Sequence, residues 1–212
     1  AFIGALVVTL VVYRIGAAAG FLSLPSVLLA GIALNALAMA GVGFLSYLAN
    51  DEQLRNLTFW NFGSLGGATW AMLSAVGPLA LAATLAGIFL ARPLNALALG
   101  EDAGRALGVR VGLIRGLAVV AVTVLAGAAT AAAGPIMFVG LGVPYLARAA
   151  FGPDQRLVLP GTALAAPVLL LFADVVARLV VLPGEIPVGV VAAILGGPAF
   201  VLIVRRPRIE AL

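Results

Sequence analysis

Apolar runs, most of them about twenty residues long, alternate along this chain with short polar stretches. A run of that length and composition is typical of a helix that crosses a membrane, so the pattern predicts seven spans. They cover residues 1–13, 25–49, 70–91, 113–133, 136–147, 158–181 and 188–204. The first run is short, and we interpret it as the remainder of a longer span.

Helix-breaking residues occur in two of the later spans. Pro144 lies inside the short fifth span, which we therefore expect to be broken or tilted, and a loop is predicted to follow at residues 148–157. Gly196, Gly197 and Pro198 are expected to interrupt the seventh span. Between the second and third spans, residues 50–60 are polar and then aromatic, which predicts a short helix at the membrane interface.

The longest polar interruption is the segment from Arg92 to Arg115, which contains four arginines. It predicts two short amphipathic helices, separated by Gly100 and ended by Gly108. Their apolar positions are Leu94, Leu97 and Leu99 on the first helix and Ala103, Ala106 and Leu107 on the second. A charged segment cannot lie in hydrocarbon, so it lies on a water face, either as a plain solvated loop or as a docking surface for a soluble partner.

Composition places the chain among α-helical membrane proteins. Of its 212 residues 64% are hydrophobic and 9% charged, and the mean hydropathy is +1.22. A β-barrel would instead show alternating segments of about ten residues. Because there is no cysteine and no histidine, we expect no disulfide framework, no thiol metal site and no resident metal or cofactor.

All twelve basic residues are arginine. Without lysine the chain cannot form a G-x-x-x-x-G-K-[ST] phosphate loop, so if ATP drives the protein, another subunit binds the ATP and Mg²⁺. The arginines lie at span ends, which indicates membrane orientation rather than nucleic-acid binding. If residues 92–115 face the cytoplasm, ten of the twelve arginines do so too; Arg55 falls outside and Arg178 within a span.

Asp174 and Arg178 are four residues apart on the sixth predicted span and can pair on one helix face. A charge inside a bilayer costs about 2.5–3.5 kcal/mol unless it is paired, so a charged residue in a span is often functional. One interpretation of this pair is therefore an ion or proton relay. The other is a neutralised pair that ties helices together, which we favour because a relay needs further acids or histidines.

Several stretches resemble a known family in their order along the chain: LLAGIALNAL (28–37), LNALALGEDAGRALGVRV (94–111), GPIMFVGLGVPYLAR (134–148) and GPDQRLVLPGTAL (152–164). They are similar to the permease subunits of ABC importers for iron chelates, haem and cobalamin, the FecCD type. Residues 51–70 look most like haem permeases, although siderophore permeases carry similar segments. Two residues depart from the family pattern: Tyr145 stands where histidine is usual, and Met137 where glycine is usual.

The resemblance implies an all-α polytopic bundle of the type II ABC importer permease kind, with ten spans of which this chain corresponds to the fourth through tenth. It implies a single permease domain over residues 1–212, with residues 92–115 as its cytoplasmic coupling loop. Two permease copies, two ATP-binding subunits and a periplasmic binding protein would assemble in the bacterial inner membrane. The cargo would be haem or a related iron chelate, with a ferric siderophore or cobalamin as the alternative.

The resemblance also implies roles for individual residues. Coupling to the ATP-binding subunit is assigned to Leu97, Gly100, Glu101, Ala106, Leu107 and Gly108. The substrate pathway is assigned to Asn35, Met39, Phe59 and Trp60, with helix packing or interfacial anchoring as the alternative for each. Arg55 is a candidate contact for the binding protein, or else a partner of Asp51 or Glu52.

Two other function classes compete with an importer permease. An ion-coupled secondary transporter usually carries ionisable groups at mid-membrane on broken helices, and the pair Asp174–Arg178 is the one candidate here. A membrane scaffold that transports nothing is the third class. Only the importer permease needs residues 92–115 as a docking surface. With no histidine or cysteine, tight axial ligation of haem iron is not expected.

Overall fold

The computed structural model describes residues 2–17, 24–136, 138–180 and 186–204, and all regular structure in these ranges is helical. The ten helices there are α1 (Phe2–Ala17), α2 (Leu24–Leu48), α3 (Asp51–Phe62), α4 (Trp70–Phe89), α5 (Ala91–Ala98), α6 (Glu101–Ala106), α7 (Val111–Ala133), α8 (Val139–Phe151), α9 (Gln155–Val180) and α10 (Val188–Val204). Met137 and the C-terminal arginines (205, 206 and 208) lie outside the described residues.

Each of the seven apolar runs predicted to span a membrane forms a helix. Within the described ranges, α2, α4, α7 and α9 are long and apolar enough to cross a bilayer. The 20 residues of α4 extend about 30 Å at 1.5 Å per residue, which matches the hydrocarbon thickness. The apolar parts of α1, α8 and α10 are shorter. The predicted fold class, an all-α polytopic membrane bundle, is confirmed.

The loop predicted at residues 148–157 is wrong in its extent. Helix α8 continues to Phe151 and α9 begins at Gln155, so only three residues separate them. Two alanines follow Arg148 and favour helix, and the arginine itself lies in the last turn, where a cation interacts well with the helix dipole. The helix ends at Gly152, whose φ of 80° a residue with a side chain rarely adopts.

The predicted interruption of α10 is wrong, and of the two alternatives for α8, broken or tilted, the break is wrong. Helix α8 is continuous with Pro144 inside it, and α10 is continuous through Gly196, Gly197 and Pro198. The two glycines make room for Phe138 instead, because a Cβ at Gly196 would lie 3.2 Å from the Cβ of Phe138. In an apolar medium an unpaired backbone group is costly, which favours an unbroken helix over a turn.

Successive spans run in opposite directions and define two faces of the bundle. Helices α5 and α6 lie at one end of α4, in the segment 92–115 that we call the polar loop, and α3 lies at the other end. A hydrogen bond of 2.8 Å from Ser64 N to Ala133 O joins the loop after α3 to the end of α7. We call the two ends the polar-loop face and the α3 face.

Small residues hold the bundle together where α9 meets α10. A buried cluster is formed there by Ala173, Ala177, Val188, Val191 and Ala192. Small side chains let helix axes approach closely, which is how membrane helices associate when burial from water contributes little. Helix α7 packs against α1 and α4, whereas α2 contacts α1 and α3 within the described part of the chain.

Candidate functional site

The polar loop consists of two short helices, as the sequence predicts. Helix α5 ends at Ala98 and α6 spans Glu101–Ala106, with Gly100 between them at φ 108°. Gly108 follows at φ 81°. Both glycines adopt backbone angles that strongly favour the absence of a Cβ, so they fix the two points at which the chain reverses.

Leu97 packs inside the polar loop. Its Cδ2 atom would lie 2.9 Å from a Cβ on Gly104, and Gly104 itself is buried. Leu97 therefore packs between α5 and α6, and its role in coupling stays a prediction. Gly104 was not predicted to matter, although a glycine inside a six-residue helix indicates a close approach of another element.

Two leucines of the polar loop have exposed side chains. Leu99 and Leu107 follow the ends of α5 and α6 and are 73% and 65% exposed. Ala106, Gly100 and Gly108 are exposed beside them. Exposed apolar side chains grouped on a charged surface are typical of a protein interaction site. Leu99, which was not among the assigned coupling residues, belongs to this surface.

Glu101 joins the polar loop to α7. Its carboxylate accepts hydrogen bonds from Arg115 in the first turns of α7 and from Arg105 Nη2 at 3.2 Å. Arg105 also donates to Asp102 at 3.0 Å. The Glu101 side chain is 34% exposed, so it is partly withdrawn from the surface. Its position indicates that Glu101 shapes the loop.

A second polar connection joins α5 to α9. The amide of Asn95 donates from Nδ2 to Asp154 Oδ1 at 2.5 Å and accepts at Oδ1 from Gln155 N at 2.9 Å. Asp154 Oδ1 also accepts from Arg156 N at 2.9 Å. The backbone N–H of Arg156, and then the Asn95 amide, lower the pKa of Asp154 below its ordinary value.

Neither Asn95 nor Asp154 was predicted from the sequence as part of such a connection. The available signal was the position of Asp154 just before an apolar run, where an acidic residue caps a helix. A partner 59 residues away cannot be identified from spacing.

Helix α3 forms one wall of an open groove of about 620 Å³. Gln53, Asn56, Leu57 and Trp60 line it from α3, and Leu45, Leu48 and Ala49 line it from the end of α2 and the residue after it. Of the predicted pathway residues, only Trp60 is in this lining. Gln53 and Asn56 were missed, although their spacing from Trp60 (seven and four residues) places all three on one helix face.

The other predicted pathway residues lie outside the groove lining. Phe59 is 48% exposed, on α3, and Met39 is 58% exposed, on α2. Asn35 is exposed on α2, about one turn before Met39. The structure thus does not bring Asn35, Met39 and Phe59 into one cavity with Trp60.

Backbone contacts attach the C-terminal end of α3 to α10 and to the residue that follows α7. A Cβ on Gly189 of α10 would overlap the carbonyl oxygen of Phe62, and a Cβ on Gly134 would lie 2.7 Å from Trp60 O. A Cβ on Gly63, which has a φ of 73°, would lie 2.9 Å from Ala133 O. We call these three glycines (63, 134 and 189) the glycine junction. At its other end α3 has a capping box, in which Asn50 and Gln53 exchange hydrogen bonds of 2.9 and 3.1 Å.

The two remaining charged sites lie toward the α3 face. Arg55 is exposed on α3, and among the described residues no ion pair joins it to Asp51 or Glu52. Arg178 Nε donates to Asp174 Oδ2 at 2.9 Å, which confirms the predicted pairing. This pair occupies the last two turns of α9, near the end of the span rather than its middle. No three histidine, cysteine or acidic side chains gather as a metal site in the ranges that the structure covers.

These features define a class of protein: a multi-pass helical membrane protein with a structured polar loop on one face and a short helix on the other. The FecCD transport family model matches residues 1–206, and the chain belongs to that family.

Curated relatives agree with this assignment. The chain is 43% identical over 208 residues to the hemin transport system permease protein of Yersinia pestis. That alignment covers 98% of this chain and 62% of the relative. It is 44% identical to the ferric enterobactin transport system permease protein of Escherichia coli (97% and 61% covered). It is 41% identical to the vitamin B12 import system permease protein of Salmonella typhi (95% and 61% covered).

A solved structure has the same fold. It is described as an inward-facing conformation of a metal-chelate type ABC transporter, and it matches with a TM-score of 0.83 at 30% identity. The match covers 94% of this chain and 62% of that one. The chain thus spans about three fifths of the length of the relatives it matches. The resemblance to the FecCD permeases, haem permeases among them, is confirmed.

Proposed function

We propose that this chain is the transmembrane permease subunit of an ATP-driven importer that moves haem, or a related iron chelate, into the cytoplasm. The observation that carries the proposal is the polar loop. It presents Leu99 and Leu107 to water on two short helices, and Glu101 fixes one of those helices to α7. A loop that merely connects two spans has no need of an exposed apolar surface on a braced helix pair.

The partners follow from this role. An ATP-binding subunit with bound Mg²⁺ docks on the polar loop of each of two permease copies, and ATP hydrolysis belongs to that subunit. A periplasmic binding protein delivers the cargo on the α3 face, where the exposed Arg55 is available to an acidic partner. The assembly lies in the bacterial inner membrane.

The distribution of arginines supports this orientation. Arg14 lies near the end of α1, and Arg148 and Arg156 flank the short loop between α8 and α9. Because spans alternate in direction, these positions share the polar-loop face with the four arginines of residues 92–115. An excess of arginine marks the cytoplasmic side of a membrane protein, so the polar loop is cytoplasmic.

The groove between α2 and α3 is the proposed part of the cargo pathway. One aromatic side chain, Trp60, and two amides, Gln53 and Asn56, face it, and the rest of the lining is apolar. Such a surface offers stacking and single hydrogen bonds to a large planar ligand but no strong metal ligand. Cargo therefore passes through rather than being held. The same chemistry accommodates a siderophore or cobalamin, so the choice of haem draws on the similarity to the hemin permease.

Reconstitution in liposomes tests the proposal. The full-length permease and its ATP-binding subunit are co-purified, and uptake is measured with binding protein loaded with haem, a ferric siderophore or cobalamin in turn. ATP-dependent uptake of haem alone is the expected result. Uptake of another ligand keeps the importer and overturns haem as cargo. Failure to bind an ATP-binding subunit, with transport driven by an ion gradient instead, overturns the importer.

A further inference from the structure

Asn95 and Asp154 connect two elements that are distant in sequence, and the proposed function makes no use of them. Asn95 lies on α5, while Asp154 immediately precedes α9. The Asn95 amide donates to Asp154 Oδ1 at 2.5 Å and accepts from Gln155 N at 2.9 Å, so both of its ends are bonded. An amide bonded at both ends is fixed in its orientation.

The connection reaches the backbone of α9 itself. The carbonyl oxygen of Asp154 accepts from Leu157 N and Val158 N, both at 3.0 Å, and thereby begins the helix. Its carboxylate accepts from Arg156 N at 2.9 Å. Since Asp154 caps the first turn of α9, a displacement of α5 also displaces that turn.

Contacts continue from α9 to the opposite face. Ala173 and Ala177 of α9 share a buried cluster with residues of α10. At the start of α10, Gly189 lies against the carbonyl of Phe62, the last residue of α3. These contacts form an unbroken series from the polar loop to the helix that lines the groove. Because small packed residues and backbone atoms leave little free space at these contacts, a displacement of one helix displaces the next.

We propose that Asn95 and Asp154 are positioning residues that carry movement of the polar loop to α9 and, through α10, to α3. This inference rests on the proposed function, because an ATP-binding subunit must be what moves the loop. Neither residue touches cargo or nucleotide in this role. Their connection determines how much cargo moves for each ATP hydrolysed.

The hydrogen-bond pattern provides a reversal test. Asn95→Asp places a carboxylate against Asp154, so the bond is replaced by repulsion. Asp154→Asn preserves an acceptor oxygen for Asn95 and for Arg156 N. Combining both changes reverses donor and acceptor and restores an amide–carboxylate pair. Asn95→Ala removes the connection without adding charge, and Gln155→Ala is the matched control, because only the backbone N–H of Gln155 takes part.

The measurement is cargo uptake per ATP hydrolysed by the reconstituted full-length complex. For Asn95→Asp and Asn95→Ala we expect uptake to fall about tenfold, while binding of the ATP-binding subunit and ATP hydrolysis change by less than about twofold. The double variant is expected to recover most of the uptake. Gln155→Ala is expected to behave like the unaltered permease, and Asp154→Asn, which keeps the acceptor oxygen but loses the charge, to lose less uptake than Asn95→Asp.

Two results would overturn this inference. In one, uptake, subunit binding and hydrolysis fall in parallel in both Asn95 variants, which means that the bonds only hold the loop in shape. In the other, the double variant transports no better than Asn95→Asp. Failure of the unaltered permease to bind any ATP-binding subunit is seen before a variant is made, and it overturns the proposed function together with this inference.

Discussion

The role of an exposed leucine in this protein depends on the element that carries it, as Leu99 and Leu107 show. Most exposed leucines in the part of the chain that the structure describes lie on the apolar helices predicted to span the membrane. These two follow the ends of α5 and α6, on the polar-loop face. Leu97, only two residues before Leu99, packs on Gly104 instead. Similar sequence positions therefore have opposite roles, one inside the polar loop and one on its surface.

Replacing the exposed leucines tests the docking surface. Leu99→Ser and Leu107→Ser are each expected to weaken binding of the ATP-binding subunit about tenfold, because a buried leucine contributes about 1.5–3 kcal/mol. Affinity in detergent, measured by titration of the labelled subunit, reports the change. Leu54→Ser on the opposite face, where the leucine is 43% exposed, is the control. An unchanged affinity in both leucine variants would contradict the docking surface.

Glu101 holds α6, and with it the exposed leucine surface, against α7 through Arg115. Glu101→Gln removes the charge that Arg105 and Arg115 share, so α6 is held less firmly to α7. Because partly exposed ion pairs contribute only about 0–1 kcal/mol, the permease should stay folded. ATP-driven uptake should nevertheless fall, since the docking helix is less well ordered. Glu52→Gln, on α3, removes an equal charge at the other face, and equal uptake in the two variants would refute this role.

At the level of helices, α10 and α3 meet through backbone atoms. Gly189→Ala is expected to displace α3, because the new methyl group would overlap the carbonyl of Phe62 rather than a movable side chain. Overpacking of this kind costs about 1–3 kcal/mol. The emission of Trp60 in a Trp70→Phe background reports the position of α3, and thermal unfolding reports the stability.

Gly140→Ala is the control for that change. Gly140 lies on α8, and a Cβ there would meet no atom within 4 Å. Alanine is also the better helix former, so stability should be unchanged or slightly higher. If Gly189→Ala is as stable as Gly140→Ala and leaves the emission of Trp60 unchanged, the contact between α10 and α3 does not position α3.

Hydropathy predicted the helices but not where several of them end. All seven apolar runs form helices because length and composition are sufficient to identify a span. The end of α8 at Phe151 was missed, because Arg148 looked like the start of a loop. The continuity of α10 at Pro198 was missed, because its glycines pack on Phe138, a contact that local sequence does not reveal.

The candidate site was predictable only in part, for the same reason. Gly100 and Gly108 were located correctly because turn glycines leave a local signal. Asn95 and Asp154 were not, because their significance depends on a fold that brings residues 59 positions apart into contact.

Across the whole molecule, stability should be insensitive to pH in the neutral range. The chain has no histidine, and the pKa of Asp154 lies below its ordinary value because Arg156 N and Asn95 donate to its carboxylate. A lowered pKa in the folded state means that the stabilisation is complete above the unfolded value, 3.8, and is lost as pH falls through the folded value. The unfolding temperature should therefore be constant between about pH 5 and 8.

Asp154→Asn isolates the contribution of this carboxylate. The variant cannot take up a proton at position 154, so its unfolding temperature should decline less than that of the unaltered permease below about pH 4. Scanning both proteins in the same detergent at a series of pH values gives the comparison. Identical acid profiles would show that the charge on Asp154 does not stabilise the fold.

The glycine junction has a consequence for how such permeases diversify. Helix α3 is fixed at its end by the carbonyls of Trp60 and Phe62 and by glycines of other elements, and none of its side chains is buried. Mutations along α3 can therefore alter the groove without releasing the helix from the bundle. Under the proposed function, a lineage exchanges one bulky nutrient for another by changing a few surface side chains of α3, while the rest of the bundle is inherited unchanged.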